Sequence, residues 1–312
     1  MIKHLCLCLF LLLFCGHSLS DARRSPLPLN GLPQLEVYRE PRLVNGLSNN
    51  RQCREWVDSV MQTLTLRERI GQLFIYTIAP QQDKANKELL RKVVEDYKVG
   101  GLLFSGGLVQ NQVALTNEAQ QMASVPLLIT FDGEWGLSMR LKNTPVFPRN
   151  MVLGCIRSDS LIYEYGREVA RQCRELGVHV NFAPVADVNI NPDNPVINTR
   201  SFGELPQEVA RKVVAYGRGL EAGRVLSVCK HFPGHGDTDV DSHKALPVLP
   251  FSRERLDSVE LYPFRKAIRA GLGGMMVGHL DVPAIEPTRG VPSSLSHAVV
   301  SDLLIDELEF KG

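Results

Sequence analysis

Six apolar runs, separated by stretches of helical periodicity, constrain the fold of this chain more than any single motif. The pattern predicts strands over residues 70–77, 100–104, 127–132, 180–187, 225–231 and 273–280. Between them it predicts helices over 84–98, 111–123, 158–176, 206–223 and 252–270, with a last one over 296–308. A further helix precedes the first strand, with Trp56, Val57, Val60, Met61 and Leu64 at helical spacing. The strands are nearly continuous apolar runs, as in a sheet covered on both faces. Such alternation implies an α/β protein with a parallel sheet, either doubly wound or a (β/α)8 barrel of the TIM type.

Polar residues close several of these strands: Asp132, Asp187, Lys230 with His231, and His279. Contributions from so many strands favour the barrel, whose strand ends all face one mouth. No GxGxxG follows the first strand, which argues against a dinucleotide-binding sheet. Strand starts recur about every 41 residues, so the seventh and eighth strands of a barrel would begin near ~314 and ~354. The chain ends at Gly312. The expectation is therefore an incomplete barrel of about six βα units, with unpaired edges on its first and sixth strands and poor solubility.

Composition bounds the function. With 44% hydrophobic residues, 22% charged residues and a net charge of +1, the chain has no basic excess for nucleic acid and no charged tail. Residues 1–20 form a signal-peptide pattern: Lys3 and His4, an apolar run from Leu5 to Cys15, then Ser18-Leu19-Ser20 as a small-x-small cleavage site. The run is shorter than the roughly 20 residues that span a bilayer, so no stable membrane span is expected. Phe14 is bulky for a lipidation site at Cys15. The expected location is periplasmic or secreted. Residues 21–50, rich in Pro, Gly, Asn and Ser, read as an extended leader, and 51–312 as the folded domain. Cys53, Cys155, Cys173 and Cys229 show no CxxC spacing and read as small buried hydrophobes, although export would permit a disulfide. No feature of the sequence sets an oligomeric state.

Chemistry concentrates in Lys230 to His243, KHFPGHGDTDVDSH, where three His, three Asp and one Lys follow a buried strand. Pro233, Gly234 and Gly236 exclude a regular helix. His231 and His235 stand four apart, but without a helix or an HExxH pattern no metal site is expected. Asp241 two residues before His243 can hold the imidazole and raise its basicity, giving a general acid/base.

The segments LLITFDGEWG, VNFAPVADV, NTRSFG, KHFPGHGDTDVDSH followed by LP, and GGMMVGHLDVP occur in an order that resembles glycoside hydrolase family 3. The resemblance covers residues 56–312 and is nearest to the β-N-acetylglucosaminidase branch. It implies a barrel that hydrolyses terminal β-linked N-acetylglucosamine, from peptidoglycan or chitin-type glycans, with retention and without metal or organic cofactor. By resemblance, Asp132, Arg140, Arg200, Lys230 and His231 bind the sugar, His243 is the acid/base, and Asp241 orients it. Apart from the resemblance, Asp132 could cap a helix, Arg140 could be a solvated charge, and Arg200 could pair with Glu204. Asp237 is expected to order the loop, His179 to be structural, and His279 either to line the pocket or not. The family's Asp nucleophile would fall roughly five residues beyond Gly312, since residues 303–307 resemble the lead-in to its segment. The chain is therefore expected to lack its nucleophile and to be inactive alone. A β-glucosidase or β-xylosidase of the same family and a non-catalytic carbohydrate-binding fragment are the alternatives.

Overall fold

The structure, a computed structural model, describes residues 50–242 and 244–312. The expected signal peptide and the leader up to residue 49 lie outside the described residues, as does His243. Side-chain caps set the helix starts. Asn50 accepts the Gln52 amide at the head of α1 (Arg51–Thr63). Thr65 and Glu68 form a reciprocal capping box that opens α2 (Leu66–Gly71). That box overrides the apolar pattern, so residues 70 and 71 finish a helix and the first strand begins only at β1 (Ile75–Ile78).

Asp83 caps α3 (Lys84–Arg91), which continues as a π-helical turn over Lys92–Asp96. Next come β2 (Gly101–Phe104), α4 (Val109–Met122), β3 (Leu128–Phe131) and the short α5 (Asn150–Gly154). Ser158 caps α6 (Asp159–Glu175), which leads to β4 (Val180–Asn181). Pro206 opens α7 (Pro206–Ala222), followed by β5 (Leu226–Phe232). The helix expected over 252–270 is two helices. Ser252 caps α8 (Arg253–Ser258), and α9 (Leu261–Arg269) starts after a break at Val259 and Glu260. Burial of Glu260 against Arg255 accompanies that break. β6 (Gly274–Val277) and a π-helical segment over Ala298–Glu307 complete the order.

The six strands form one parallel sheet in sequence order, β1-β2-β3-β4-β5-β6. A doubly wound sheet reverses its order at a switch point, whereas a barrel does not. Among the described residues β1 and β6 each pair with a single neighbour, so the sheet is open and no barrel closes. Leu73, Phe74, Ile75 and Tyr76 are exposed at the β1 edge. β4 is much shorter than the strand expected over 180–187. Pro184 has no amide hydrogen to donate, and beyond it the backbone pairing with β5 is reduced to the bridge between Val185 and Lys230.

Helices α6 and α7 pack backbone to backbone. A Cβ on Gly219 would stand 2.2 Å from the Tyr163 carbonyl oxygen, and one on Gly166 2.5 Å from that of Tyr216. The close approach brings Tyr165 and Tyr216 to 5.0 Å between ring centroids. The buried Tyr216 hydroxyl then donates to the Gly133 carbonyl at 3.0 Å, fixing the turn that follows β3. Replacement Gly219→Ala is expected to force the helices apart and to lower stability by about 2 kcal/mol or more. Urea unfolding measures this, and an unchanged midpoint would show that the two glycines are not needed for the contact.

Candidate active site

Most of the polar residues singled out in the sequence meet where β3, β4 and β5 end. Lys230, in β5, is almost fully buried and places its ammonium 2.8 Å from Asp132 Oδ1 and 2.8 Å from Glu134 Oε1. Arg140 donates to the other Asp132 oxygen at 2.7 Å. Arg200 grips Glu134 with two bonds, Nε to Oε2 at 3.0 Å and Nη2 to Oε1 at 2.7 Å. Its Nη2 also reaches His231 Nε2 at 3.4 Å, while His231 Nδ1 stands 2.7 Å from Asp187 Oδ2. A guanidinium only donates, so at the Arg200 contact Nε2 is the acceptor, and Nδ1 is left to face Asp187.

Successive residues of a regular strand point to opposite faces. Lys230 and His231 nevertheless both reach this cluster. The register of β5 against β6 slips between Lys230 and Phe232, leaving His231 as the extra residue of a bulge. A bulge re-aims a side chain in this way.

Depth divides the cluster into two roles. Glu134 and Asp187 are fully buried, whereas the side chains of Asp132, Arg140, Arg200 and His231 keep partial exposure. The outer four can touch a ligand, and the two inner carboxylates hold them in place. Burial pushes the Asp132 carboxyl up, but the Lys230 charge and the bonds from Lys230 and Arg140 outweigh it, leaving the pKa below its ordinary value. Glu134 behaves alike: burial raises it, and the Lys230 charge and the Arg200 bonds bring it below normal. Burial also raises Asp187, against which act the facing His231 ring and the bonds from the His231 and His235 amides, at 3.1 and 2.7 Å. All three are therefore held as carboxylates.

The loop after β5 is pinned at several points. His235 is buried, with Nδ1 2.7 Å from Thr238 Oγ1 and Nε2 2.9 Å from Ser242 Oγ. Both ring nitrogens are thus committed within the loop, and burial pushes its pKa down. Asn194 donates to the His235 carbonyl at 2.9 Å. A Cβ on Gly236 would meet the Val188 carbonyl oxygen at 1.7 Å, so only glycine allows the loop to lie that close. Asp237 accepts from Arg255 at 3.0 Å, the loop-ordering part expected of it. The Asp241 carboxylate lies 4.0 Å from the Lys244 ammonium. Its expected pairing with His243 falls on a residue outside those described.

Several expectations need correction. Arg200 pairs with Glu134 and not with Glu204. His279 is exposed and bonds Ser294 at 2.5 Å, apart from the cluster. Cys155 is exposed, while Cys173 and Cys229 are buried; burial pushes the Cys173 thiol up to about 12. His179 accepts the Ile129 amide at 3.0 Å and is structural. Glu134 had no part in the sequence reading, although its position two residues past Asp132 was a signal, since alternate residues of an extended chain share a face. Asp187 was visible as a strand-end acid but without its partner. Among the described residues no three His, Cys, Asp or Glu side chains gather as metal ligands, and no helix is long and apolar enough to cross a membrane.

The family model for the glycosyl hydrolase family 3 N terminal domain matches residues 65–312. The chain is 36% identical over 246 residues to beta-hexosaminidase A of Pseudoalteromonas piscicida, covering 72% of this chain and 41% of that protein. It is 35% identical over 242 residues to the beta-hexosaminidase LpqI of Mycobacterium bovis, covering 76% and 60%. Among solved structures, a family 3 beta-N-acetylglucosaminidase from Paenibacillus sp. str. FPU-7 superposes with a TM-score of 0.75 at 40% identity, over 80% of this chain and 48% of that one. The chain thus spans only part of the length of the relatives it matches.

Removing Lys230 leaves two carboxylates short of a cation. Lys230→Met is expected to cost about 3–5 kcal/mol. The native pKa values of Asp132 and Glu134 are depressed, so their stabilisation is present above the unfolded values near ~4 and is lost as pH falls through the folded ones. In the variant, burial acts with less opposition and the loss begins at higher pH. Denaturant unfolding between pH 7 and pH 3 measures both effects, and superimposable acid limbs would exclude Lys230 as the controlling charge.

Proposed function

The chain belongs to glycosyl hydrolase family 3, and from that membership we propose that the cluster at the ends of β3, β4 and β5 is the sugar-binding floor of a retaining exo-β-N-acetylglucosaminidase. The observation that carries this reading is the Asp132–Lys230–Glu134–Arg200 network, a set of ionised groups fixed before any ligand arrives. Asp132 accepts from sugar hydroxyls, Arg140 and Arg200 donate to them and His231 offers its ring edge, while Lys230 holds Asp132 and Glu134 in place from beneath. Fixed donors and acceptors of this kind cost little reorganisation on binding. The names of the relatives support the acetamido sugar; that it is the terminal N-acetylglucosamine of peptidoglycan or chitin-type glycans is part of the proposal.

For the chemistry we assign leaving-group protonation, and later water activation, to His243, with Asp241 as its orienting partner; His235, Asn194 and Arg255 fix the described part of the loop that precedes it. A retaining mechanism also needs a carboxylate nucleophile at the anomeric carbon. Asp132 and Glu134 are each bound by two cations, and Asp187 is occupied by His231. None of the three is proposed for that role. The reading is therefore a sugar-binding and proton-donating site whose nucleophile is not one of these three carboxylates, in a protein that we propose to be exported.

A second reading, a β-glucosidase specificity, has one observation in its favour. A Cellulomonas fimi relative, 30% identical over 268 residues that cover 82% of this chain and 46% of that protein, is named beta-N-acetylglucosaminidase/beta-glucosidase.

Calorimetry with N-acetylglucosamine and glucose separates the two. The expected result is binding of the acetamido sugar at least about tenfold tighter, abolished in Asp132→Asn, and negligible release of nitrophenol from the nitrophenyl N-acetyl-β-glucosaminide. Tighter binding of glucose would overturn the sugar assignment. Full turnover by this chain would show that a carboxylate among its own residues serves as the nucleophile.

A further inference from the structure

One fully buried amide has no part in the sugar contacts described above. Asn181 ends β4, and the register of that strand places it opposite Phe131, the last residue of β3. The backbone ladder between the two strands stops there, with the Phe182 amide donating to the Phe131 carbonyl at 2.8 Å. Two residues further along, the Asn181 side chain takes over. Its Oδ1 accepts the Gly133 amide at 2.9 Å and its Nδ2 donates to the Gly133 carbonyl at 3.1 Å. A backbone N–H only donates and a carbonyl only accepts, so these two partners fix which way the Asn181 amide points. The side chain thus pairs with Gly133 as the peptide of a neighbouring strand would.

Gly133 stands between Asp132 and Glu134, the two carboxylates that meet at the Lys230 ammonium. Its carbonyl also accepts from the Tyr216 hydroxyl at 3.0 Å and from the Gly136 amide at 3.1 Å, closing the turn that contains Glu134. A Cβ on Gly133 would stand 3.2 Å from Asn181 Oδ1, 3.3 Å from its Nδ2 and 3.2 Å from the Phe131 ring. Glycine is what lets the amide lie flush against the backbone. Both polar atoms of a buried side chain are therefore spent on one residue. That residue carries a partly exposed carboxylate on one side and a fully buried one on the other.

We propose that Asn181 is a positioning residue for sugar binding: acting through Gly133, it sets the spacing that brings Asp132 and Glu134 together onto Lys230 and presents Asp132 to the ligand. It touches no sugar itself. The inference rests on the sugar-binding reading of the cluster. Without the amide, the Gly133 peptide shifts and Asp132 draws away from Lys230 and Arg140, the two cations that face it, while Glu134 competes for Lys230. Burial then raises the Asp132 carboxyl against a weaker opposing charge.

Calorimetry with N-acetylglucosamine between pH 7 and pH 4 tests this in the full chain, in Asn181→Ala, and in Gly133→Ala, whose added methyl displaces the amide without removing it. Leu90→Ala, at a core position of α3, is the destabilised control. Affinity is expected to fall roughly tenfold in each site variant and little further in the double variant, because both changes break one contact. The parent holds Asp132 below its ordinary value, so its affinity stays level down to about pH 4, whereas in the site variants the decline starts at higher pH. Leu90→Ala is expected to lower the urea midpoint while keeping the affinity and pH profile of the parent, as a purely structural Asn181 would. Parent-like affinity and pH profile in Asn181→Ala, or fully additive losses in the double variant, overturn the inference and leave the sugar clamp standing. Should Asn181→Ala fail to fold, Gly133→Ala decides: parent-like binding there overturns the positioning role. Absence of N-acetylglucosamine binding by the parent chain overturns the clamp and the inference together.

Discussion

The Lys230 ammonium, buried between two carboxylates, is the interaction on which the rest of the site depends. An isolated ammonium at that depth would be neutralised or expelled. Here Asp132 and Glu134 each approach it at 2.8 Å. Arg140 and Arg200 take up the remaining carboxylate oxygens, and the His231 ring satisfies Asp187. Such a set is stable only while every member is present, because each charge is offset by groups that would themselves be left uncompensated. The network also ties the turn after β3 to the strand β5, segments 98 residues apart in sequence.

From that constraint follows the division of labour by depth. Glu134 and Asp187 lie fully buried and spend their oxygens on Lys230, Arg200 and His231. They position groups and do not meet a ligand. Asp132, Arg140, Arg200 and His231 sit one layer outward, where each still has solvent-facing surface. A polar ligand then exchanges water for donors and acceptors that already point at it, so little ordering remains to oppose binding.

Much of this was legible in the sequence, and what was not has a common cause. Apolar runs gave the strand order, and the polar residues closing those strands marked Asp132, Asp187, Lys230 and His231 as neighbours at one end of the sheet. Partners separated by tens of residues leave no local trace. Glu134 therefore went unassigned, and the local alternative for Arg200 was Glu204, whereas the structure pairs it with Glu134, 66 residues away. The bulge at His231 was equally invisible, since it arises from register against β6 and not from any glycine in the strand. Local chemistry also overrode pattern where a cap or a proline intervened, as at Thr65 with Glu68 and at Pro184.

The open sheet bears on the site less than its exposed edge suggests. β1 presents Ile75 and Tyr76 to solvent and has one hydrogen-bonded neighbour, as does β6. Edges of that kind are where local opening begins. Yet Asp132 follows β3, Asp187 follows β4, and Lys230 and His231 belong to β5, all interior strands with a neighbour on each side. Arg200 is fixed to these strands through Glu134 and Asn150, and the turn after β3 through Tyr216, not through either edge. The charge network closes within the middle of the sheet. Its geometry is therefore set by the interior strands, whatever covers the edges.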